Sequence, residues 1–142
     1  MITELTGLPV ANASLLDEGT AAAEAMLLAH SQSKKKDFIV DNKIFPQTLE
    51  VLQTRARPLG INIVKVDLDE PILLDIFEDV FGFLIQMPNS EGKIIEPHGI
   101  INLCEVHKVM RIAVVDPMCQ VLMKPVGEMG FDIAVGLSLI HI

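Results

Sequence analysis

Apolar side chains along the chain alternate between two spacings, a helical one and a strand-like one, and short runs of Gly, Pro, Asn and Asp separate the blocks. Residues from about Asp17 to about Ser31 form the first helical block, and Thr20, Ala21, Ala22, Ala23 and Ala25 give it a small-residue face that another element can approach closely. Ser14 stands three residues before Asp17 and four before Glu18, the spacing of a capping hydroxyl answered by a first-turn carboxylate. Both acids would then sit where the helix dipole favours negative charge. Asp37 to Val40 reads as a short apolar strand. Pro46 opens a second helix carrying Leu49, Val51, Leu52 and Ala56, which Pro58 and Gly60 end. Ile61 to Val66 reads as a strand, and an acidic linker from Asp67 to Asp79 has room for one helical turn.

Val80 to Gln86 is nearly continuous in apolar residues, the pattern of a strand covered on both faces of a parallel sheet, and Pro88 to Gly92 punctuates it. The periodicity predicts a third helix from about Pro97 to Met110, with Ile100, Leu103, Cys104 and His107 on one stripe. Ile112 to Val115 follows as a buried strand, Asp116-Pro117 opens a short helix with Met118, Val121 and Leu122, and Phe131 to Val135 is the last strand. Strand alternating with helix argues an α/β layer, doubly wound, with right-handed crossovers.

Composition narrows this reading. The 142 residues are half apolar, enough for one domain or a piece of one and too many for a disordered tail. A net charge of −8 excludes a nucleic-acid surface, and the only basic cluster, Lys34 to Lys36, reads as a solvated loop. Cys104 and Cys119 lie in apolar segments without metal-type spacing and read as reduced, buried thiols. No apolar run approaches the roughly 20 residues that a bilayer span needs, so no membrane partner is expected. The first residues carry neither a secretory nor a transit pattern.

The run from Met1 to Met26 closely resembles the N-terminal half of the P-protein family, glycine dehydrogenase (decarboxylating) of the glycine cleavage system. Leu5-Thr6-Gly7, Ala11-Asn12-Ala13-Ser14-Leu15-Leu16-Asp17-Glu18 and Thr20-Ala21-Ala22-Ala23-Glu24-Ala25 carry the likeness. It continues through Pro46-Gln47-Thr48, Gln53-Thr54-Arg55-Ala56, Gly60-Ile61, Val80-Phe81-Gly82 with Gln86, and Glu91-Gly92-Lys93. Lys124-Pro125 with Gly127-Glu128, and Asp132-Ile133-Ala134-Val135-Gly136, complete it.

The resemblance implies a partial, mainly parallel sheet like the large domain of fold type I pyridoxal-phosphate enzymes, over residues 1–136. It implies glycine decarboxylation with transfer of the aminomethyl group to the lipoyl H protein, and pyridoxal phosphate as cofactor of the whole enzyme. That cofactor is an electron sink which needs a Schiff-base lysine, phosphate donors and a pyridine-nitrogen partner. In the family the lysine belongs to the C-terminal half or to a separate subunit. This chain is therefore expected to bind no cofactor itself, to be inactive alone, and to pair with the lysine-bearing half. The compartment implied is the cytoplasm for a bacterial source and the mitochondrial matrix for a eukaryotic one.

Asn12 to Thr20, with Ser14, Gly19 and Thr20 as candidates, occupies the place where fold type I enzymes set a phosphate-binding helix N-terminus. Helix capping with packing, or a face for a partner, explains the same residues. Asp116 corresponds to the carboxylate that meets the pyridine nitrogen in catalytic relatives, and an N-cap ahead of Pro117 explains it equally. The histidines show no metal-ligand spacing, and no hydrolase triad is recognisable. Arg55 and Arg57 suit either exposed helix charges or contacts to acidic groups of the other half. Phe45 stands where the family has His, and Asp116-Pro117-Met118-Cys119-Gln120 replaces its usual Asp-Leu-Leu-Ala-Leu. Two rivals stay open: a structural or interaction module without active-site groups, and another fold type I enzyme such as an aminotransferase. Met1 aligns with an internal family methionine. Residues 137–142, Leu-Ser-Leu-Ile-His-Ile, are expected to be a non-native tail read through from a sequencing adapter, because CTGTCTCTTATACACATC encodes them.

Overall fold

The computed structural model describes residues 1–137; the expectation for the tail falls, from Ser138 onward, outside the described residues. Five parallel strands form one sheet: β1 (Asp37–Asp41), β2 (Asn62–Val66), β3 (Val80–Met87), β4 (Met110–Val115) and β5 (Ile133–Val135), in the order β2-β1-β3-β4-β5. The helices are α1 (Ile2–Thr6), α2 (Glu18–Ser31), α3 (Pro46–Ala56), α4 (His98–Val106), α5 (Pro117–Leu122) and α6 (Val126–Met129). The chain moves outward from β1 to β2, returns past β1 to β3, and then proceeds the other way. Helices α2 and α3 cover one face while α4 and α6 cover the other, as a single hand of crossover requires when the order reverses.

All eight residues of β3 are buried, so the central strand can be apolar on both sides. One face receives Ala22, Ala23, Met26 and Ala29 of α2 against Phe38, Val40, Phe81 and Leu84. The alanines let the helix backbone come close to the sheet, so the small-residue face of the sequence is a packing face. On the other side Phe77, Ile100, Ile101 and Cys104 meet Ile39, Phe83, Ile85 and Ala113. The register between β1 and β3 slips once: Asp37 pairs with Val80, yet Phe38 pairs with Gly82. The extra residue turns both Phe81 and Gly82 toward α2, where a Cβ on Gly82 would stand 3.6 Å from Ala29 Cβ.

Three sequence expectations need correction. Helix α2 is capped by Asp17 and not by Ser14, because the backbone is still extended at Asp17 (φ −154°, ψ 178°), whose carboxylate accepts from Thr20 N–H at 2.8 Å. The third helix stops at Val106 and not Met110. Val109 N–H bonds Cys104 C=O, Lys108 takes φ 55°, and Met110 already pairs with Gly82 in the sheet. The stripe residue His107 caps that helix, its Nδ1 2.9 Å from Leu103 O and its ring stacked on Phe77. Helix α5 turns Met118, Val121 and Leu122 outward, and its buried side chain is Gln120. Helices α1 and α6 are too short for periodicity to reveal.

Helix α1 packs on α5, and its C-cap Gly7 meets α6 in a close glycine contact. A Cβ on Gly127 would lie 2.5 Å from Gly7 O and 2.6 Å from Gly7 C, both backbone atoms that cannot rotate away. Gly127→Ala should push α1 off at a cost of about 1–3 kcal/mol. In a full-length protein carrying this segment, amide exchange at Leu5 and Gly7, which bond Met1 O and Thr3 O, should quicken; unchanged exchange would refute the contact. Strands β2 and β5 each pair on one side only among the described residues, and unpaired parallel edges template association. Residues 1–136 expressed alone should therefore aggregate, and a monodisperse monomer with a cooperative melt would contradict this.

Candidate functional site

In a doubly wound sheet the functional crevice lies beyond the carboxyl ends of the strands, where the strand order reverses. Here the reversal falls between β1 and β3, and Gln86 sits at the end of β3 beside it. Gln86 is 4% exposed, so both ends of its amide need partners. Its Oε1 accepts from Phe45 N–H at 2.8 Å, and its Nε2 donates to Glu18 Oε1 at 3.1 Å. One side chain thereby ties the starts of α2 and α3 to the central strand. The bond uses the Phe45 backbone, so it does not depend on which ring that residue carries.

Glu18 is half-buried, and desolvation pushes its carboxyl above the ordinary range; Leu137 N–H and Gln86 oppose the shift, whereas the charges of Asp116 and Asp17 add to it. Asp17 moves the other way, held low by its hydrogen bonds from Thr20. Asp116 caps α5, accepting from Met118 N–H at 2.8 Å ahead of Pro117. Gly19 packs against α3, where a Cβ would meet Val51 Cγ2 at 3.3 Å. Asp17, Glu18 and Asp116 thus gather around the α2 N-terminus with Gly19 and Thr20, while Ser14 stays outside on an exposed stretch.

A phosphate at that helix start would face these carboxylates and find the Thr20 N–H already engaged. Lys43, near the end of β1, is committed elsewhere: its ammonium meets Asp69, Asp67 at 3.9 Å and Glu91 at 3.8 Å. The donor set therefore does not fit pyridoxal phosphate held by these residues alone.

A second polar cluster surrounds Lys43, whose pKa rises chiefly through the hydrogen bond to Asp69. Asp41, fully buried at the end of β1, accepts from Lys43 N–H at 3.1 Å, and burial raises its pKa. The sequence reading missed Gln86 and Lys43 as organisers. A lone amide in an otherwise apolar strand was the available signal for Gln86. Arg55 pairs with Glu24 across α2 and α3 at 3.3 Å, and Arg111 holds Asp132 through Nε at 2.9 Å and Nη2 at 3.0 Å. His30 meets the edge of Phe81, and His98 lies 3.4 Å from Glu96. Cys104 is buried with its thiol pushed up to about 12 by desolvation, and Cys119 is half-buried; both are free. Among the described residues no acid, His or Cys cluster has metal-site geometry, and no helix is long and apolar enough to cross a membrane.

The strand-end acids generate a pH prediction. A carboxyl whose folded pKa is raised binds its proton more tightly in the native state. Its ionised form therefore weakens folding above that pKa, and the penalty vanishes below the ordinary value of 4.5. Glu18→Gln keeps an acceptor for Gln86 and removes the charge. The variant should melt higher than the wild type at neutral pH in the full-length protein, with the gap closing as pH falls from the raised pKa to the ordinary 4.5. A variant that melts lower at neutral pH would contradict the burial argument.

The profile of the family described as "Glycine cleavage system P-protein" matches residues 1–139. Glycine dehydrogenase (decarboxylating) of Prochlorococcus marinus is 50% identical over 141 residues, covering 97% of this chain and 14% of the relative. That of a Synechococcus species is 52% identical over 139 residues, covering 96% and 14%. A crystal structure of glycine decarboxylase (P-protein) in inhibitor-bound form superposes with a TM-score of 0.87 at 30% identity, over 96% of this chain and 32% of that one. Cystathionine gamma-lyase from Lactobacillus plantarum, 17% identical with a TM-score of 0.72 over 95% of this chain and 35% of that one, shares the fold. The chain spans about a seventh of the curated relatives' length, and within that span it belongs to the glycine cleavage system P-protein family.

Proposed function

We propose that the chain is part of the N-terminal, lysine-lacking half of a glycine-decarboxylating P protein. The whole enzyme would release the glycine carboxylate as carbon dioxide and pass the aminomethyl group to the lipoyl arm of the H protein. Pyridoxal phosphate, bound elsewhere in that enzyme, supplies the electron sink. The observation that carries this reading is the family match through residue 139, supported by about 50% identity to glycine dehydrogenases along the whole segment. The aminotransferase alternative finds no comparable support. A cytoplasmic setting suits a bacterial source, and the mitochondrial matrix a eukaryotic one.

The role proposed for these residues is architectural. Gln86, Glu18 and Phe45 hold the helix starts against the strand ends, making one wall of an assembly whose other half brings the lysine. The carboxylates around α2 favour a supporting role over cofactor contact. The segment is read as a companion of the catalytic half rather than a second active site.

The test uses the full-length protein with pyridoxal phosphate and lipoyl H protein. Glycine-dependent carbon dioxide release is expected there, with borohydride trapping the cofactor on a lysine outside residues 1–142. A trapped adduct on any lysine of this segment, or transamination without carbon dioxide release, would overturn the proposal.

A further inference from the structure

Residues 67–79, the linker between β2 and β3, carry six acids (Asp67, Asp69, Glu70, Asp75, Glu78 and Asp79) and no base. A segment charged in this way repels itself and stays on the fold only through what it buries or bonds. Its far end is anchored, because Phe77 is fully buried and Ile76 packs against the same core cluster. Its near end is held differently. Among the described residues, the hydrogen bonds of 67–78 stay inside the linker, apart from the one that Asp69 accepts from Lys43. Glu70 N–H donates to Asp67 O, Asp69 N–H to Asp67 Oδ1, and Ile76 N–H to Leu73 O. Lys43 is also the one base among those residues that ion-pairs with the linker.

The same ammonium reaches a second segment. It lies 3.8 Å from Glu91 in the loop between β3 and α4, and Lys43 C=O accepts from Ser90 N–H in that loop at 2.8 Å. Linker and loop are the two sides of a cleft of about 310 Å³, with Leu68 and Ile72 on the linker side and Ile95, Ile100 and Leu103 on the side of the loop and α4. Glu70 lines the first side and Glu96 the second, where His98 stands 3.4 Å from it. Carboxylates on both sides push the sides apart, so closure calls for an opposing charge. The Lys43 side chain, 16% exposed, supplies it. A lone exposed ion pair contributes little, but here one partly buried ammonium serves three carboxylates from the two sides at once.

We propose that residues 67–74 form a lid on this cleft, and that Lys43 keeps the lid closed by bridging its Asp67 and Asp69 to Glu91 of the facing loop. When the ammonium lets go, the lid swings on its Phe77 anchor and bares the apolar lining at Leu68, Ile95 and Ile100. Lys43 is thus a clasp between two loops, and the chain carries a moving part beside the fixed wall built around Gln86.

The experiment compares full-length protein carrying Lys43, Lys43→Met or Lys43→Arg. Methionine keeps most of the side-chain length without the charge, and arginine keeps the charge. Amide exchange over 67–74 should quicken about tenfold in Lys43→Met, as the loss of one charge-assisted hydrogen bond implies, and should return toward the wild-type rate in Lys43→Arg. Unchanged exchange in Lys43→Met would overturn the proposal. Access to the cleft is read separately by iodoacetamide labelling of Ile100→Cys, a position 7% exposed in the closed form. Labelling there should be about tenfold faster with Lys43→Met, while Cys104, buried on the same helix, stays unlabelled. Equal rates with and without the clasp, or parallel labelling of Cys104, would overturn the lid, the second because α4 itself would then be coming away. Where Ile100→Cys yields no folded protein, Leu103→Cys on the same side of the cleft takes its place. Neither readout depends on glycine turnover, so the lid and the functional reading above stand or fall apart.

Discussion

A parallel strand buried on both faces cannot hold an unsatisfied polar atom without a cost of about 1–3 kcal/mol, and β3 holds Gln86 at its carboxyl end. Satisfying that amide means bringing a backbone N–H from the start of α3 and a carboxylate from the start of α2 to the same point. The placement of both helices over the sheet follows from this bond together with the alanine face of α2. So does the crowding of carboxylates at the strand ends, because Gln86 holds Glu18 inward, where the Asp116 charge acts on it.

How much of this could be read from residues alone depends on the length of the signal. The strand at Val80 to Gln86 and the helix begun by Pro46 were legible because several turns or pleats of consistent pattern support each. The end of α4 was not legible. Val109-Met110-Arg111-Ile112 carries apolar residues that suit a continuing helix or a starting strand equally, and tertiary pairing with Gly82 decides the matter. The Ser14 cap failed for a similar reason: Ser14 and Asp17 both satisfy local capping chemistry, and the extended backbone at Asp17 chooses between them.

The strand-end site was less legible than the fold. Resemblance singled out Ser14, Gly19, Thr20 and Asp116; in the structure Thr20 N–H serves the Asp17 cap and Asp116 caps α5. Sequence reasoning did not foresee that Glu18 and Gln86 would meet across 68 residues of chain. Such long-range polar pairs leave no periodic trace. The same holds for Lys43, whose three acidic neighbours come from two different loops. Electrostatics at the strand ends is thus a property of the assembled sheet, and it weighs against an anion site that a linear motif would suggest.

The two thiols have opposite chemical fates. Cys104, sunk beneath α4 with a pKa near 12, has almost no thiolate at neutral pH and resists alkylating reagents. Cys119 lies half-open on the outward-facing helix. Of these two sulfurs, a maleimide dye would therefore select the one on α5, giving an optical reporter on that helix without any engineered residue.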